Sequence, residues 1–509
     1  MNLVMTLLPI FLFTQNVRWI YRYDGSPVDV AQCLVYGSDG NIYAAGHSAA
    51  GIIVISLTNT GEERWVYRYQ AVPDSEARAY SIAYGLDDNI YVAGYSVGEG
   101  SYRDLTVISL TNTGEERWVY RYNGPGNYRD VAYSIAYGLD GNIYVAGYAS
   151  DYYDRKFLVV SLTNTGSERW IYRSNNVGWA YSIAYGLDGN IYAAGFIFGE
   201  GGTRDNFAVV SLTTSGIERW VYMYSGPGVF AEMAHSVVYG LDGNIYAGGE
   251  TQSGGNYYGD FTVISLTNSG NERWVYKILD PGGTERVNSV VYGLDSNIYA
   301  AGYGGIPGFR VVSLTSTGTQ RWVYSYPDMG EAYSLAYGLD GNIYAAGYVF
   351  IPGSGTYEDF TVISLTDTGT ERWVYKYNGA GNDWDYAYSL VYGPDGNIYA
   401  AGESRGTSTF IDFIVISLEP TLGIRGSENR FQSRSPKSFT FSKEGIILSS
   451  NQPIKVKLYN LYGKLVLEKE VTGSERKIEE TEKLPPGIYF LSISSGGKEL
   501  ERRKVIKIK

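Results

Sequence analysis

Short apolar runs alternate with glycine-rich turns through most of the chain, and four such runs recur in a fixed order. They read RWVYRY, AYSIAYG, NIYVAGY and FTVISL, and each is rich in Val, Ile, Tyr or Trp and bounded by Gly, Asn, Asp or Pro. These features predict β-strands. The tryptophan of the first phrase recurs every 46 to 54 residues, at Trp19, Trp65, Trp118, Trp170, Trp220, Trp274, Trp322 and Trp373. A repeat near fifty residues with four strands per copy predicts an all-β fold, a β-propeller with one blade per copy and therefore eight blades.

The connections between the predicted strands are of two kinds. The sequence LDGN, between the second and third phrases, hardly varies between copies, and its Asp-Gly pair predicts a two-residue type I′ hairpin. TNTGEE, which follows the fourth phrase, is similarly uniform, whereas the other two connections differ freely in length and composition. Because alternate connections of a four-stranded meander lie at the same end, all the varied loops share one face, where binding is expected.

Two family resemblances refine this architecture. The order DGNIYxxG and then DFxVxxL resembles the bacterial β-propeller repeat (SBBP-type) family over residues 18–418, and TGEERW at residues 60–65 is similar to the tryptophan-docking motif of quinoprotein propellers, which are typically eight-bladed. The resemblance implies an eight-bladed β-propeller over residues 16–418, with AYSIAYG innermost and RWVYRY outermost in each blade. Arg18–Tyr23 would then complete the last blade and close the ring. The tryptophans would pack against neighbouring blades, but the lone Cys33 cannot supply the cysteine pair of the redox enzymes.

The C-terminal segment differs in character from the repeats. Residues 419–437 are polar and are predicted to be a linker. The phrases YNLYGK, LPPGIY and the terminal KVIKIK then closely resemble, in order and spacing, the C-terminal sorting domain of the type IX secretion system. That resemblance implies a small β-sandwich over residues 438–509, the type IX secretion machinery as a partner, and delivery to the cell surface or the medium. An ordinary adhesive β-sandwich is the alternative.

The N-terminus carries an apolar run from Leu3 to Phe13, broken only by Thr6. Such a run is too short to span a bilayer as a helix but has the length of a signal-peptide core, so residues 1–15 are predicted to be a signal peptide, although no Lys or Arg precedes the run. A buried first strand is the alternative, which Pro9 disfavours. No other segment is predicted to cross a membrane.

Composition and charge narrow the possible ligands. The 509 residues include 64 glycines, 50 tyrosines and one cysteine, so neither a disulfide within the chain nor a multi-cysteine metal site can form. The net charge is −12, but residues 428–509 carry 17 basic and 10 acidic side chains, which leaves residues 1–427 strongly acidic. This charge disfavours nucleic acid as a partner. The sequence has no phosphate-cradling loop, nucleophile elbow, zinc pattern or calcium-loop spacing, and no cofactor or metal is predicted.

Comparison of the repeats with one another identifies a candidate binding layer. With the Asp-Gly turn as centre, one residue of AYSIAYG faces one residue of NIYVAGY, and four copies place aromatic residues at both positions. The other four depart from this rule, pairing Gln32 with His47, His235 with Glu250, Asn288 with Tyr303, and Tyr388 with Glu403. A His–Glu pair can transfer protons or hold a ligand. A structural cross-strand contact is the alternative, and the pairing depends on a two-residue turn.

The varied loops add Trp384 and Asp385 as ligand-binding candidates, and they also contain Glu99, Asp151, Asp154, Glu200, Tyr257, Tyr258 and Glu358. Aromatic rings stack on sugars, and paired carboxylates can cleave a glycan. Two functions remain open, and no catalytic residue is predicted. The first is an exported, non-enzymatic binding or scaffold protein with a glycan or a surface protein as partner. The alternative is a secreted polysaccharide-active hydrolase or lyase that uses carboxylates on the varied-loop face.

Overall fold

The computed structural model describes residues 14–49, 51–152, 154–199, 204–226, 231–253, 259–279, 283–305, 308–350, 357–406, 411–423, 439–442, 445–460, 465–478, 487–495 and 498–507. The described chain falls into two compact units, one formed by Gln15–Gly423 and the other containing the strands after residue 438. Every regular element among the described residues is a β-strand, which confirms the all-β prediction. The predicted signal peptide lies outside the described residues except for Thr14 and Gln15, which belong to the first strand.

The larger unit contains 31 strands. The first sixteen are β1 (Thr14–Tyr23), β2 (Asp29–Tyr36), β3 (Ile42–Ser48), β4 (Gly51–Leu57), β5 (Glu63–Tyr69), β6 (Ala77–Tyr84), β7 (Asn89–Val97), β8 (Arg103–Thr111), β9 (Glu116–Tyr122), β10 (Asp130–Tyr137), β11 (Ile143–Asp151), β12 (Asp154–Leu162), β13 (Glu168–Tyr185), β14 (Asn190–Phe198), β15 (Asp205–Thr213) and β16 (Glu218–Tyr224). The remainder are β17 (Met233–Tyr239), β18 (Ile245–Thr251), β19 (Asp260–Leu266), β20 (Glu272–Ile278), β21 (Glu285–Tyr292), β22 (Asn297–Gly304), β23 (Phe309–Thr315), β24 (Gln320–Ser325), β25 (Met329–Tyr337), β26 (Ile343–Phe350), β27 (Glu358–Leu365), β28 (Glu371–Tyr377), β29 (Asp385–Tyr392), β30 (Ile398–Ser404) and β31 (Asp412–Gly423).

These strands form six four-stranded sheets and one seven-stranded sheet. Five of the four-stranded sheets follow chain order, as in β2-β3-β4-β5. The seven-stranded sheet, β10 to β16, arises because the long strand β13 pairs with β12 through its first half and with β14 through its second half. β13 therefore serves as the last strand of one four-stranded ladder and the first strand of the next.

The remaining sheet closes the ring of sheets. Its order is β1-β31-β30-β29, so the N-terminal strand completes a sheet of C-terminal strands, as predicted. Arg22 of β1 forms an ion pair of 3.1 Å with Asp412 of β31. The inner strands contact one another in the order β2, β6, β10, β13, β17, β21, β25 and β29, and β29 contacts β2. At that junction the amide of Leu34 donates to Ser389 Oγ at 3.2 Å. The unit is therefore a closed β-propeller.

The tryptophan of each outer strand packs on the next sheet, as the quinoprotein resemblance implied. Trp65 donates its indole N–H to the carbonyl of Asn112 at 3.1 Å and lies over Gly114. Gly114 has a φ of +90°, and a Cβ atom placed on it would lie 2.6 Å from the Trp65 ring, so the turn requires glycine. The middle strands are almost wholly buried between neighbouring sheets.

The prediction of a two-residue type I′ turn is wrong. In the LDGN connection of β10 and β11, Gly141 N donates to Gly138 O at 3.0 Å and Gly138 N donates to Asn142 O at 2.8 Å, while Gly141 has a φ of +78°. This is a three-residue loop in which a type I turn is followed by a left-handed glycine. Asp140 favours it by accepting hydrogen bonds from the amide of Asn142 and the hydroxyl of Tyr144.

The C-terminal unit contains β32 (Phe439–Ser442), β33 (Gly445–Asn460), β34 (Leu465–Ile478), β35 (Gly487–Ser495) and β36 (Lys498–Lys507), which form one antiparallel sheet. The second sheet that a β-sandwich requires is not among the described residues, so the sandwich stays a prediction. The predicted linker starts too early, because β31 continues to Gly423. Residues 419–423 remain in the propeller because the carbonyl of Pro420 accepts hydrogen bonds from Arg372 and Trp373. Residues 424–437 of the predicted linker lie outside the described residues.

Candidate ligand-binding site

A cleft of about 740 Å³ opens among the varied loops. Side chains of β11–β15 and β17 line it, together with side chains from the connections that precede β8, β10 and β12. We call it the aromatic cleft, and its lining includes Tyr102, Tyr128, Arg129, Tyr152, Asp154, Arg155, Trp179, Tyr181, Phe196, Phe198, Asp205 and Met233. A concave site with convergent aromatic rings and a few charged groups is typical of small-ligand and glycan sites.

The inner wall of the aromatic cleft is built around Trp179. The Trp179 ring stacks on Tyr148 with a centroid distance of 4.9 Å and an interplanar angle of 23°. Phe196 and Tyr181 pack against other parts of the indole at 5.6 Å and 5.9 Å. The guanidinium of Arg155 lies 4.8 Å from the Trp179 centroid, so the wall carries a positive charge beside its largest ring.

Three tyrosines from successive loops form the outer rim. Tyr102 and Tyr128 lie nearly parallel at 6.1 Å, and Tyr128 meets Tyr152 edge to face at 5.3 Å. Tyr102 is 59% exposed and Tyr152 is 63% exposed, so these rings present apolar faces to solvent. Tyr152 has a φ of +38°, an unusual conformation for a residue other than glycine that directs the backbone at the tip of the β11–β12 loop.

Two carboxylates and two guanidiniums complete the polar lining of the cleft. Asp154 is exposed at its edge, whereas Asp205 is half-buried, and burial raises the pKa of the Asp205 carboxyl. Arg129 is exposed at the edge and Arg155 is half-buried. The cleft therefore offers both hydrogen-bond donors and acceptors beside its aromatic faces.

The predicted binding layer lies next to this cleft, but its backbone pairing differs from the prediction. In each inner hairpin one residue of the first strand bulges out of the ladder, and the eight bulge residues are Gln32, Tyr80, Tyr133, Tyr181, His235, Asn288, Tyr333 and Tyr388. The Cα partners of His47, Glu250 and Glu403 are accordingly Val30, Met233 and Tyr386. The bulge residues contact one another around part of the ring, since Tyr80–Tyr133 and Tyr133–Tyr181 are both 5.4 Å apart.

His235 and Glu250 lie close together despite the shifted register. His235 Nε2 is 3.7 Å from Glu250 Oε1, and among the described residues no hydrogen-bond partner reaches that nitrogen. The His235 ring packs on Tyr181 at 5.6 Å, and Tyr181 lines the aromatic cleft. His235 therefore supports the wall of the cleft through Tyr181.

His47 and Gln32 are placed differently from that pair. His47 is only 8% exposed, and burial, followed by the positive charge of Arg78, lowers its pKa to about 4. The other charges that act on it belong to Glu76 and Asp29. Gln32 is the half-buried bulge residue of the same hairpin. A neutral, buried imidazole fits a packing role at neutral pH.

The remaining predicted site residues lie around β29 and β30. Tyr388 donates its hydroxyl to Glu403 at 2.9 Å, and burial raises the pKa of that carboxyl. Trp384 is 42% exposed, and the Arg405 guanidinium lies 4.5 Å from its ring. Asp385 is fully buried and accepts hydrogen bonds from the amides of Gly379 (2.7 Å) and Arg405 (3.1 Å), so it anchors loops and cannot meet a ligand.

The sequence did not identify the aromatic cleft as a site, although it contained a signal. Eight of the ten tryptophans belong to the repeated outer strand, and the two that remain are Trp179 and Trp384. Trp384 lies in a long, varied loop, where binding is expected, whereas Trp179 adjoins the uniform AYSIAYG phrase, where packing is expected. Among the described residues, no group of three or more metal-ligating side chains converges.

Comparison with known proteins identifies the C-terminal segment. A family model described as "Secretion system C-terminal sorting domain" matches residues 442–508. No curated protein matches the chain. Within the described residues, no helix has the length and apolar character needed to cross a bilayer.

Several solved structures are similar to the chain at low identity. One is PorZ, a surface component of the type IX secretion system of Porphyromonas gingivalis, with 11% identity, a TM-score of 0.41 and coverage of 92% of this chain and 73% of PorZ. Another is the β-propeller domain of the Trilobed protease from Pyrococcus furiosus, with 11% identity, a TM-score of 0.40 and coverage of 70% and 98%. The Neurospora crassa Pan2 WD40 domain has 10% identity, a TM-score of 0.39 and coverage of 62% and 85%.

The closed ring of sheets and the matched tail together fix the class of this protein. The larger unit is a β-propeller, and residues 442–508 carry the sorting signal of a secretion system. The chain is a β-propeller protein with a type IX secretion sorting domain, and it is exported to the cell surface or the medium.

Proposed function

We propose that this protein is an exported, non-enzymatic β-propeller that binds a glycan in the aromatic cleft. The observation that carries the proposal is the convergence of Trp179, Tyr102, Tyr128 and Tyr152 on one cleft of about 740 Å³. Sugar rings have apolar C–H faces that pack on aromatic rings, and their hydroxyls require donors and acceptors nearby. Arg155 and Asp205 supply both kinds of group at the cleft.

The proposed architecture is an eight-bladed propeller followed by a small β-sandwich. Eight copies of the inner-strand bulge and the double use of β13 support the blade count, because β13 serves two blades. Irregular pairing of β33 with β34 between Leu448 and Ile454 supports a bend that would let this long hairpin fold over itself. The sorting domain engages the secretion machinery, and the propeller is the part that meets the extracellular partner.

A glycan-array screen of the exported protein tests the proposal. We expect wild type to bind at least one glycan class, and Trp179→Ala to abolish that signal, because a central aromatic anchor contributes about 2 kcal/mol or more to binding. Ile217→Ala removes an exposed apolar side chain from the uniform turn between β15 and β16, outside the cleft, and serves as the control, which should keep the signal. A wild-type protein that binds no glycan, or a Trp179→Ala protein that binds as well as wild type, would contradict the proposal.

A polysaccharide-active enzyme is the second candidate function, and one observation favours it. Asp154 and Asp205 both line the aromatic cleft, and burial raises the pKa of Asp205, as suits a general acid. Incubation of wild type with the glycan identified by the array, followed by chromatography of the products, separates the two functions. Shortened products that disappear in Asp205→Asn would establish the enzyme, whereas an intact glycan that stays bound supports the binding protein.

A further inference from the structure

The position two residues before each bulge residue identifies a second aromatic site. The residues at this position are Val30, Arg78, Val131, Trp179, Met233, Arg286, Glu331 and Tyr386. Only Trp179 and Tyr386 are aromatic, and their strands, β13 and β29, are separated by three other inner strands in either direction around the ring. Tyr386 therefore occupies on one side of the varied-loop face the place that Trp179 holds on the opposite side.

The surroundings of Tyr386 repeat those of Trp179 with the charge reversed. Trp179 packs on Tyr148, and Tyr386 packs on Tyr348 edge to face at 5.2 Å. Tyr148 and Tyr348 occupy equivalent positions, since each pairs with a phenylalanine of the next strand. Two residues before that phenylalanine, the first site has Arg155 and the second has Glu358.

Glu358 lies on the same face of β27 as Phe360, the backbone partner of Tyr348, because the two residues are two positions apart. Its Oε2 atom is buried, and no hydrogen-bond donor among the described residues reaches it. Burial and then the Glu358 charge raise the pKa of Tyr386, which agrees with this placement of the carboxylate. A buried carboxylate oxygen without a donor is costly, and a ligand cation would remove that cost.

Two other charged groups near these rings have partners, and Asp359, whose Oδ1 has none among the described residues, faces the opposite side of β27 from Glu358. Glu403 accepts a hydrogen bond from Tyr388, and burial raises the pKa of this carboxyl. Arg405 forms an ion pair of 2.7 Å with Asp383 and lies over one face of Trp384. Glu358 is therefore the acidic group that can receive a cation from outside.

Exposed rings lie beside this carboxylate. Trp384 is 42% exposed and Tyr357 is 53% exposed, and the two rings meet edge to face at 6.4 Å. Flat apolar surfaces next to an unpaired carboxylate match a sugar ring that bears an ammonium group. A lysine side chain would satisfy the charge, but its flexible stem has no flat face to cover these rings.

We propose that Tyr386, Trp384 and Glu358 form a second glycan site, specific for an amino-sugar unit whose ammonium group binds Glu358. The inference rests on the proposed function in that the ligand is a glycan, but it concerns different residues. The exported protein would then hold an amino-sugar unit on the opposite side of the face from the aromatic cleft.

Calorimetric titration with three hexasaccharides tests this site. The probes are the β-1,4-linked glucosamine hexamer, its N-acetylated form and the glucose hexamer, which share a backbone but differ in charge. We expect wild type to bind the glucosamine hexamer at least tenfold more tightly than the other two. Glu358→Gln should remove this preference, whereas Arg155→Gln, the equivalent change at the aromatic cleft, should preserve it. Equal affinities for the three hexamers, or an unchanged preference in Glu358→Gln, would overturn the proposal.

Two further arms separate the alternatives. Hexalysine that binds more tightly than the glucosamine hexamer, and loses its affinity in Glu358→Gln, would assign the site to a basic peptide and overturn the amino-sugar proposal. Trp179→Ala should leave the glucosamine preference intact. If that preference is present while the aromatic cleft binds no glycan on the array, the proposed function of the cleft fails and the second site stands. Glu358→Asp, which retains the charge, guards against loss through misfolding and should keep part of the preference.

Discussion

The closure of the propeller depends on a strand that is far from its sheet in sequence, and Trp19→Ala tests how much that strand contributes. Trp19 donates its indole N–H to the carbonyl of Asn59 at 2.9 Å, lies over Gly61 and packs on Tyr399 at 5.8 Å. These contacts join the last sheet to the first. Trp118 makes the same set within the ring, to Asn164 at 3.0 Å, to Gly166 and to Tyr91 at 5.9 Å. Trp118→Ala is therefore a matched control.

The two substitutions remove similar contacts but should have different consequences. Truncation of a buried tryptophan costs about 3–5 kcal/mol, and the partial exposure of Trp19 places its loss near 3 kcal/mol. A loss of that size raises the population of an opened state by a factor of about 150, because each 1.4 kcal/mol is tenfold. In Trp19→Ala the opened state is the released strand β1, which only its C-terminal end ties to the rest of the propeller. In Trp118→Ala the strand β9 stays tethered at both ends, and the loss spreads over the whole unit.

Hydrogen exchange measured by mass spectrometry distinguishes the two outcomes. Peptides that cover β1 and β31 should exchange about 100-fold faster in Trp19→Ala than in wild type, while peptides of β17–β20 change little. In Trp118→Ala no strand should be released selectively. The reasoning fails if β1 and β31 exchange at the wild-type rate in Trp19→Ala, or if Trp118→Ala frees β9 to the same extent.

Three other predictions follow from particular contacts. His47 has a folded-state pKa of about 4 against about 6.5 when unfolded, so the unfolded chain binds the proton first and stability falls as pH drops from about 6.5 to 4. In denaturant titrations, His47→Phe should lose about 3 kcal/mol less of its free energy of unfolding over this pH range than wild type does. Parallel pH curves for the two proteins would refute the assignment. Gly114→Ala should lower stability by about 1–2 kcal/mol more than Gly100→Ala, because both glycines have positive φ but only Gly114 faces a tryptophan ring; equal melting temperatures would contradict this. Truncation after Gly423 should leave the propeller folded by circular dichroism but retained inside a host with type IX secretion, and normal surface delivery would show that residues 442–508 are dispensable.

Repetition made the fold predictable from the sequence, while two local irregularities were not visible. Asp-Gly suits both a two-residue type I′ turn and a three-residue loop with a left-handed glycine, and the structure has the latter at Gly141. Each inner strand also contains a one-residue β-bulge, for example at His235 between Ala234 and Ser236. Together the two irregularities shift the register by two residues, so the backbone partner of Glu250 is Met233 instead of His235. The His235 side chain nevertheless lies 3.7 Å from the Glu250 carboxylate.

The aromatic cleft could not be assembled from sequence because its rings come from different repeats. Tyr102, Tyr128 and Tyr152 lie in three successive loops whose lengths and conformations the repeated phrases do not determine. Trp179 is a single departure within a uniform phrase, and its role depends on contacts with Tyr148 and Arg155 of the preceding repeat. Asp385 shows the opposite error, since an acidic residue in a loop is here a buried anchor for two backbone amides.

The central claim is that the aromatic cleft holds the glycan, and isothermal titration of the array-selected glycan into wild type and Trp179→Ala tests it most directly. Loss of about 2 kcal/mol of binding free energy at a central anchor corresponds to a roughly 30-fold larger dissociation constant. We therefore predict at least a 30-fold loss in Trp179→Ala and a change of no more than about twofold in Ile217→Ala. Equal affinities for wild type and Trp179→Ala, with both proteins folded, would contradict the account.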